Sequence, residues 1–282
     1  MFISGTILPH SSQNVISITQ FAGNQRGIRN ISAQVGSSET TCVTTFPKSV
    51  CQWLAGVIDG DGCFLVSKKG YTSLEITMGL EDLPCLRYIQ NKFGGNLKIR
   101  AGMKAYRYRL HNKEGMIKLV NAVNGYILNS KRLPQLHNVC TKLNIVIKNP
   151  ELPTKSSHWF AGFFDADGHI DFSLNEGKPK LKIVVANKYL QDLIYYQNIF
   201  GGKIKINNFF DGIYSWEIKN REDILIMLDY FKSVTFRSAK SKRFFLIKDF
   251  FFLKDLQAFK VDNIQHKAWI EFTKKWNRLT IS

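Results

Sequence analysis

Residues 53–64 read WLAGVIDGDGCF, and a close variant, WFAGFFDADGHI, recurs at residues 159–170. Each copy is an apolar run that ends in two aspartates and a glycine, which predicts a buried helix that stops at the glycine. Small residues recur four positions apart in both copies, so they share one helix face; they are Gly56 and Gly60, then Gly162 and Ala166. We therefore expect the two helices to pack closely against each other.

Two further motifs follow each copy in the same order. NKFGGNLKI, which ends at Ile99, is matched by NIFGGKIKI, which ends at Ile206, and YRYRL at 106–110 is matched by YSWEI at 214–218. The offset between matched positions stays between 106 and 108 residues, so the chain contains two copies of one unit. We predict a poorly structured polar extension at 1–48, a first repeat at 49–147, a linker with two prolines at 148–157, and a second repeat with a C-terminal helix at 158–282.

Both repeats show the same order of helix-like and strand-like patterns. Two runs of alternating apolar and polar residues follow the first helix, and then come a second helix, two more alternating runs and closing helices. The predicted strands span Cys63–Lys68, Ser73–Leu80, Asn96–Ala101 and Tyr106–His111, then His169–Asn175, Leu181–Asn187, Lys203–Asn207 and Ile213–Lys219. The predicted fold class is α/β (α+β), built from two pseudo-symmetric αββαββα units.

Strand alternation places basic side chains on one face of each predicted sheet. The basic set comprises Lys98, Arg100, Arg107 and Arg109 in the first repeat, and Lys182, Lys203, Lys205 and Lys219 in the second, with the polar residues Asn207, Asp171 and Asn187 beside them. Arg and Lys pair with guanine, Asn pairs with adenine, and a ribbon of strands fits the major groove of DNA. A solvated sheet face has the same alternation, so the pattern indicates nucleic acid without indicating a reaction.

The composition supports a polyanionic partner. The 282 residues include 39 Lys and Arg against 22 Asp and Glu, for a net charge of +17 at pH 7, which favours DNA, RNA or an anionic membrane surface. No apolar run reaches the roughly 18 residues of a transmembrane helix, and no membrane partner is expected. The five cysteines form no CxxC pair, which disfavours zinc fingers and disulfide scaffolds and favours a reducing compartment.

The aspartates at the end of each predicted helix indicate a metal site. A carboxylate at a helix C-terminus is unfavourable by about 0.3–1 kcal/mol, and Asp61 and Asp167 also repel each other if the helices pack side by side. Divalent cations would offset both effects, and Mg²⁺ prefers such oxygen ligands together with water and phosphate oxygens. A metal that bridges a phosphate activates water for phosphodiester hydrolysis. For Asp59 and Asp165 we expect a structural role, either in the turn that ends each helix or at the helix interface as acceptors of backbone amides.

At these residues the sequence resembles the LAGLIDADG homing endonucleases in their single-chain, two-repeat form. LAGVIDGDG at Leu54–Gly62 and FAGFFDADG at Phe160–Gly168 are close to the signature, and the FGG at Phe93–Gly95 and Phe200–Gly202 is similar to the family's. The resemblance covers about residues 49–260. It implies that the signature helices form the interface between the halves and that two four-stranded sheets form a DNA-binding saddle.

The resemblance also implies site residues. Asp61 and Asp167 would bind the metal and carry catalysis, with the carbonyl groups of Gly60 and Ala166 as further ligands. Mg²⁺ is the expected cofactor, Mn²⁺ is a substitute, and Ca²⁺ is expected to support DNA binding without cleavage. The family places a catalytic basic residue late in each repeat, for which Lys131 matches in the first repeat and Lys240, or else Lys242, in the second.

The predicted function is a site-specific, intron-homing DNA endonuclease. It would act as a monomer on a long, near-palindromic double-stranded site, leave 3′ overhangs, and belong to a mitochondrion or chloroplast. The alternative is an RNA maturase that binds its host intron RNA and assists splicing, with or without endonuclease activity. A DNA-binding regulator with an inactive site is disfavoured because both acids are present.

Overall fold

The computed structural model describes residues 45–206 and 212–279, so the predicted extension at 1–48 lies outside it except for the last four residues. The first repeat comprises α1 (Lys48–Asp61), β1 (Gly62–Val66), β2 (Thr72–Gly79), α2 (Leu83–Phe93), β3 (Asn96–Ile99), β4 (Ala105–Leu110), α3 (Lys113–Val123) and α4 (Arg132–Leu143), with a 3-10 turn at Leu80–Asp82. Residues 145–158 contain neither helix nor strand. Phe46 already packs on Phe93, with ring centroids 4.6 Å apart.

The second repeat has the same order of elements followed by additional helices. It comprises α5 (Trp159–Asp167), β5 (Gly168–Asn175), β6 (Lys178–Asn187), α6 (Leu190–Phe200), β7 (Lys203–Ile206), β8 (Tyr214–Ile218), α7 (Arg221–Ser233), α8 (Ser241–Phe244), α9 (Ile247–Asp255) and α10 (His266–Arg278). The predicted αββαββα order is confirmed in both repeats. None of the helices in the described ranges is long and apolar enough to cross a membrane.

Three strand boundaries differ from the prediction by two or more residues, and each lies at a turn. β1 ends at Val66 instead of Lys68, because the chain turns at residues 67–70, where the Gly70 amide donates to the Ser67 carbonyl. β6 begins at Lys178 instead of Leu181, because Glu176 and Gly177 adopt positive φ angles of 52° and 71° and form a two-residue hairpin turn. β3 ends at Ile99 instead of Ala101, because the chain turns towards β4 after Arg100, whose amide donates to the Ala105 carbonyl. Asn207, predicted at the end of β7, lies outside the described residues.

Each repeat contains one four-stranded antiparallel sheet. The strand orders are β1-β2-β4-β3 and β5-β6-β8-β7, which is the same topology twice. One face of each sheet packs on helices through alternating apolar residues such as Leu74 and Ile76, or Ile183 and Val185, all fully buried. The other face carries the polar residues, and the predicted fold class, a two-part α/β saddle, is confirmed.

Helices α1 and α5 form the contact between the repeats, and their backbones touch. A Cβ atom on Gly56 would overlap the carbonyl oxygen of Trp159, and one on Gly162 would overlap that of Trp53. Only glycine permits this approach, which accounts for residues that otherwise weaken a helix by about 1 kcal/mol each relative to Ala. The predicted packing of the two small-residue faces is confirmed.

A crossed pair of hydrogen bonds joins the two helices further. Trp159 Nε1 donates to Asp59 Oδ2 over 2.7 Å, and Trp53 Nε1 donates to Asp165 Oδ2 over 2.8 Å. Each acid also accepts backbone amides from its own repeat, from Leu128 for Asp59 and from Ser238 for Asp165. Burial raises the pKa of Asp59 to about 7 and also raises that of Asp165. Because both acids are engaged in bonds within the interface, they are structural, as expected from the sequence.

The C-terminal helix α10 packs on the second repeat. Trp269, Phe272 and Trp276 are buried, and their rings lie 5.2–6.0 Å from the ring of Phe172 on β5. Trp276 Nε1 donates to Asp171 Oδ1 over 3.1 Å. The basic residues Lys267, Lys274 and Lys275 remain exposed on the outer side of the helix.

Candidate active site and nucleic-acid interface

Asp61 and Asp167 are the last residues of α1 and α5, and they lie close together where the two helices end. The backbone contact between the helices forces their C-termini to emerge side by side. A Cβ atom on Gly60 would stand 3.3 Å from Asp167 Oδ2, so the carboxylate of one repeat overlies the helix end of the other. The packing thus brings together the two acids singled out in the sequence.

Both carboxyl groups have raised pKa values. Burial raises the pKa of Asp61 to about 7, the Asp167 carboxylate adds to the shift, and the Lys240 ammonium opposes it. Burial likewise raises the pKa of Asp167 to about 6, with Lys240 and Arg132 opposing. The two acids therefore resist ionisation and require additional positive charge nearby to be fully charged at neutral pH.

Lys240 lies at the C-terminus of α5. Its Nζ donates to the carbonyl oxygen of Asp165 over 2.8 Å and to that of Ala166 over 2.6 Å. An ammonium group is favourable there, because the last carbonyl groups of a helix have no partner within the helix and carry partial negative charge. The other candidate, Lys242, is exposed.

Arg132 has the matching position in the first repeat. Its Nη2 donates to the carbonyl oxygen of Gly60 over 3.3 Å, so each helix end has one cation against its last carbonyl groups. The sequence-predicted Lys131 is exposed, and it lines an open cleft together with Gly60, Arg132 and Asp167. Its predicted catalytic role stays a prediction, and the geometry favours Arg132.

The sequence does contain a signal for Arg132. Asn112 and Asn220 both cap the helix that follows the last strand of their repeat, and they lie 108 residues apart. The same offset relates Arg132 to Lys240 and would have selected Arg132 over Lys131.

The donors at the paired helix ends suit a hard divalent cation. They are two carboxylates, of Asp61 and Asp167, and the carbonyl groups of Gly60 and Ala166, which are oxygen donors throughout. Mg²⁺ is commonly held by one or two carboxylates, with water and phosphate oxygens completing the octahedron. Within the described ranges, no cluster of three or more His, Cys, Asp or Glu side chains could hold a metal ion by itself. The site thus fits a metal ion that is held partly by these protein oxygens and partly by the oxygens of a bound phosphate.

The exposed face of the first sheet carries paired cations. Lys98 stands directly opposite Arg107, and Arg109 stands opposite Glu75. The Glu75 carboxylate lies 3.2 Å from Arg109 Nε and 3.8 Å from Arg107 Nη1. Exposed ion pairs contribute only about 0.2–1 kcal/mol, so Glu75 chiefly orients the two guanidinium groups. Arg100 is exposed just beyond the end of β3.

The exposed face of the second sheet has a corresponding cluster around Glu217. Lys205 and Lys219 both form ion pairs with Glu217, and Lys203 stands opposite Glu217 in the strand register. Lys182 stands opposite Asp171 on the neighbouring pair of strands. Each sheet therefore presents several lysines or arginines arranged around one glutamate.

One residue expected on this face is elsewhere. Asn187 shares the parity of Ile183 and Val185, whose side chains are buried, and its Oδ1 accepts the Tyr189 amide just before α6. Asn187 has the opposite parity to Lys182 along β6, so it is not on the same sheet face. It lines the open cleft beside Lys131 and Asp167, and its contact with nucleic acid stays a prediction.

The family model that matches this chain is that of the LAGLIDADG endonuclease, which covers residues 54–142 and 160–251. The chain belongs to this family. The two matched segments coincide with the two repeats, so the resemblance drawn from the signature helices is confirmed.

Several relatives are named as intron-encoded proteins. The chain is 52% identical over 231 residues to the intron-encoded RNA maturase bI4 of Saccharomyces cerevisiae and 44% identical over 252 residues to a probable intron-encoded endonuclease aI2 of Debaryomyces hansenii. It is 35% identical over 234 residues to the intron-encoded DNA endonuclease ai2b of Dictyostelium discoideum. These matches cover 80%, 83% and 80% of this chain, and 36%, 38% and 88% of the respective relatives. The chain thus spans well under half the length of the first two.

A solved LAGLIDADG structure shows the same fold. The meganuclease I-AabMI bound to uncleaved DNA superposes with a TM-score of 0.63 at 16% identity, over 80% of this chain and 97% of that one. The LAGLIDADG fold, with its signature helices at the interface, is therefore shared despite low sequence identity.

Proposed function

We propose that this LAGLIDADG chain is a site-specific endonuclease that cleaves both strands of double-stranded DNA, of the intron-homing type. The observation that carries the proposal is the placement of Asp61 and Asp167 beside each other at the ends of two helices in backbone contact. Each helix end has its own cation, Arg132 or Lys240. One acid and one cation from each repeat match a reaction performed twice, once on each strand.

Different residues of the chain would serve DNA binding and catalysis. The cations on the exposed sheet faces would contact phosphates and read bases in the major groove; they are Lys98, Arg100, Arg107, Arg109, Lys182, Lys203, Lys205 and Lys219. Asn207, which lies outside the described residues, is proposed to read a base on the strength of the sequence alone. Arg132 and Lys240 would stabilise the negative charge that develops on the phosphate. Asp61 and Asp167, with the carbonyl groups of Gly60 and Ala166, would hold the divalent metal.

The metal we propose is Mg²⁺, with Mn²⁺ as a substitute and Ca²⁺ supporting binding without cleavage. When bound, such a metal supplies activation of water and neutralises charge on the leaving oxygen. The two pseudo-symmetric repeats within one chain suit a monomer on a long, near-palindromic site, with cleavage leaving 3′ overhangs. The intron-encoded names of the relatives support an origin in a mitochondrion or chloroplast.

Removal of one acid at a time tests the proposal. The target is first selected by cleavage of a randomised site library with Mg²⁺. Asp61→Asn and Asp167→Asn should then lose double-strand cleavage by at least about 10³-fold while binding the target in Ca²⁺. Asp229→Asn, a change at an exposed acid of α7, is the matched control. Full cleavage by the Asp61→Asn, Asp167→Asn double variant would exclude this site as the catalytic centre.

A second function, as an RNA maturase, has one specific observation in its favour. The relative with 52% identity over 80% of this chain is named a maturase. Filter binding of the chain to its host intron RNA and to random RNA of the same length tests this function. Tighter binding to the intron supports it, and equal affinity for both RNAs removes it.

A further inference from the structure

The loops that carry the two active-site cations are each held by an aspartate from the opposite repeat. On the basis of the proposed endonuclease function, we propose that Asp82 and Asp192 are positioning residues that make each cation depend on the docking of the other repeat. Neither residue is at the paired helix ends themselves. Each forms hydrogen bonds to the backbone or side chains next to a cation, and Asp82 also interacts electrostatically with Lys240 and Asp61.

Asp82 belongs to the first repeat and holds a loop of the second. It is buried, with 7% of its surface exposed, and it lies in the turn before α2. Its Oδ1 accepts the Ala239 amide over 2.8 Å, one residue before Lys240. A buried acceptor of this kind is costly to remove, because the amide is left without a partner. The bond therefore fixes the backbone from which Lys240 reaches the end of α5.

Arg237 reinforces the same attachment. Its guanidinium group stacks 4.0 Å from the ring centroid of Tyr88 and 4.4 Å from that of Trp53, both in the first repeat. Its own backbone amide donates to Asp165. The first repeat therefore holds residues 237–239 at two points. Arg237 stacks on aromatic rings of that repeat, and Asp82 accepts the Ala239 amide.

Asp192 belongs to the second repeat and holds a loop of the first. It is buried, with 2% of its surface exposed. It accepts Ser130 Oγ over 2.8 Å, the Ser130 amide over 3.1 Å, and Asn129 Nδ2 over 2.8 Å. Asn129 in turn accepts the amides of Lys131 and Arg132 through its Oδ1. Asp192 therefore orients the side chain that fixes the first residue of α4, Arg132.

The two aspartates are not equivalent positions of the repeat. Counted from the FGG motifs, which are 107 residues apart, Asp82 corresponds to Tyr189 and Asp192 corresponds to Cys85. The repeats thus reach the same arrangement with different residues. In both cases the bond from the opposite repeat ends within three residues of the cation. A hydrogen bond that only stabilised the contact between the repeats could lie at any position of the interface and need not be close to a cation.

This arrangement predicts a strand-specific defect. Loss of the Asp82 carboxylate should displace Lys240 and leave Arg132 in place, and loss of Asp192 should do the reverse. A displacement of about 1 Å at a reacting site costs on the order of 10²-fold in rate. We expect Asp82→Ala and Asp192→Ala to slow opposite strands by about 10- to 100-fold relative to the other strand.

The experiment uses the full chain and a supercoiled plasmid that carries the selected target, with the rate of each strand followed by end labels. Both variants should accumulate nicked circles, with different strands intact. Glu81→Ala and Gln191→Ala, at exposed neighbouring positions, are the matched controls and should still linearise the plasmid. Asp82→Asn keeps an oxygen for the Ala239 amide and should restore balanced cleavage.

A readout independent of cleavage accompanies the strand assay. Hydrogen exchange in the peptide that contains Ala239 should be faster in Asp82→Ala than in Glu81→Ala. If an alanine variant does not fold, Asp82→Glu and Asp192→Glu, which move the acceptor but keep its charge, have the same expected strand bias. Equal slowing of both strands, bias toward the same strand in both variants, or no slowing overturns the proposal. Failure of the unchanged protein to cleave any site overturns the proposed function instead.

Discussion

Arg132 and Lys240 contact the backbone carbonyl groups of Gly60 and Ala166 and make no ion pair with a carboxylate in the described structure. The Asp61 and Asp167 carboxyl groups interact with both cations electrostatically, but no carboxylate of the described residues forms a direct ion pair that would occupy the donors of either cation. The position of each cation is nevertheless fixed by the helix end. These two residues therefore combine a defined location with a positive charge at the paired helix ends, as stabilisation of a phosphate requires.

We predict that Lys240→Met and Arg132→Met lower the single-turnover cleavage rate by about 10²–10³-fold, the typical loss for one charge-stabilising donor. Lys242→Met and Lys131→Met are the matched variants at exposed neighbours, and we expect each to change the rate by less than about tenfold. Rates are measured with saturating enzyme on the selected site. A larger loss for Lys131→Met than for Arg132→Met would assign the role to Lys131.

The raised pKa values of Asp61 and Asp167 predict a pH-dependent response to metal. The folded chain binds these protons more tightly than the unfolded chain does, so their contribution to stability is present at low pH and is lost as the pH rises through about 6–7. Ca²⁺ requires the charged carboxylates and should restore the loss. We expect Ca²⁺ to raise Tm more at pH 8 than at pH 5.5.

The Asp61→Asn, Asp167→Asn double variant is the control for this thermal-shift measurement. It should show little response to Ca²⁺ at either pH, because both carboxylate ligands are gone. A Ca²⁺ shift of the same size in the double variant and in the unchanged protein would place the cation elsewhere.

At the scale of elements, the close packing of α1 against α5 depends on Gly56 and Gly162, because glycine has no side chain. In an exposed helix, Gly→Ala stabilises by up to about 1 kcal/mol. In the interface the added methyl group meets backbone atoms, which cannot rotate away as a side chain can. Overpacking of this kind commonly costs about 1–3 kcal/mol, and backbone contact places it at the upper end.

We predict that Gly162→Ala lowers the free energy of unfolding by about 3 kcal/mol or more, as measured by urea denaturation. Asn91→Ala, at an exposed position of α2, should change it by less than about 0.5 kcal/mol. An unchanged or increased stability in Gly162→Ala would show that the helices separate enough to admit a methyl group.

The strands make a further prediction about recognition. Arg107 is oriented by Glu75 on the exposed sheet face. An oriented guanidinium group can donate two hydrogen bonds to one guanine base. Arg107→Ala should relax preference at a few base pairs of the selected site. Lys203→Ala should weaken binding about equally on all sequences and reduce the salt slope by about one.

Binding to a library of single-base variants in Ca²⁺ distinguishes the two outcomes. Uniform weakening by Arg107→Ala would mean that this arginine contacts phosphate only. A change of base preference in Lys203→Ala would mean that this lysine reads a base.

At the scale of the whole molecule, the charge of +17 should dominate affinity. If six to ten phosphates are contacted, affinity falls by about 10³–10⁵-fold between 50 and 200 mM salt through counterion release. We predict a loss in this range for the selected target in Ca²⁺, measured by fluorescence anisotropy. A loss below about tenfold would show that the basic sheet faces do not contact the backbone.

The order of elements was predictable from the sequence because period-two and helical patterns are local properties. The shifts of two or more residues in strand boundaries lie at hairpin turns, as at Glu176 and Gly177. The interface was predictable because small residues four positions apart leave one face of a buried helix without bulky side chains. A second helix backbone can then pack against that face. The position of Arg132 on the end of α1 was not predicted from the sequence, since side-chain direction at a helix start depends on the cap at Asn129; the catalytic role of Lys131 stays a prediction.

By itself, the sequence determined the duplication, the paired helices, the two acids at their ends and the sheets with one basic face. These follow from spacing and alternation, which act over a few residues. Only the tertiary structure decided that Asp82 and Asp192 cross to the opposite repeat. Those contacts join residues 62 to 157 positions apart. Such partners are set by the docking of the two repeats, which produces no periodic pattern in the sequence.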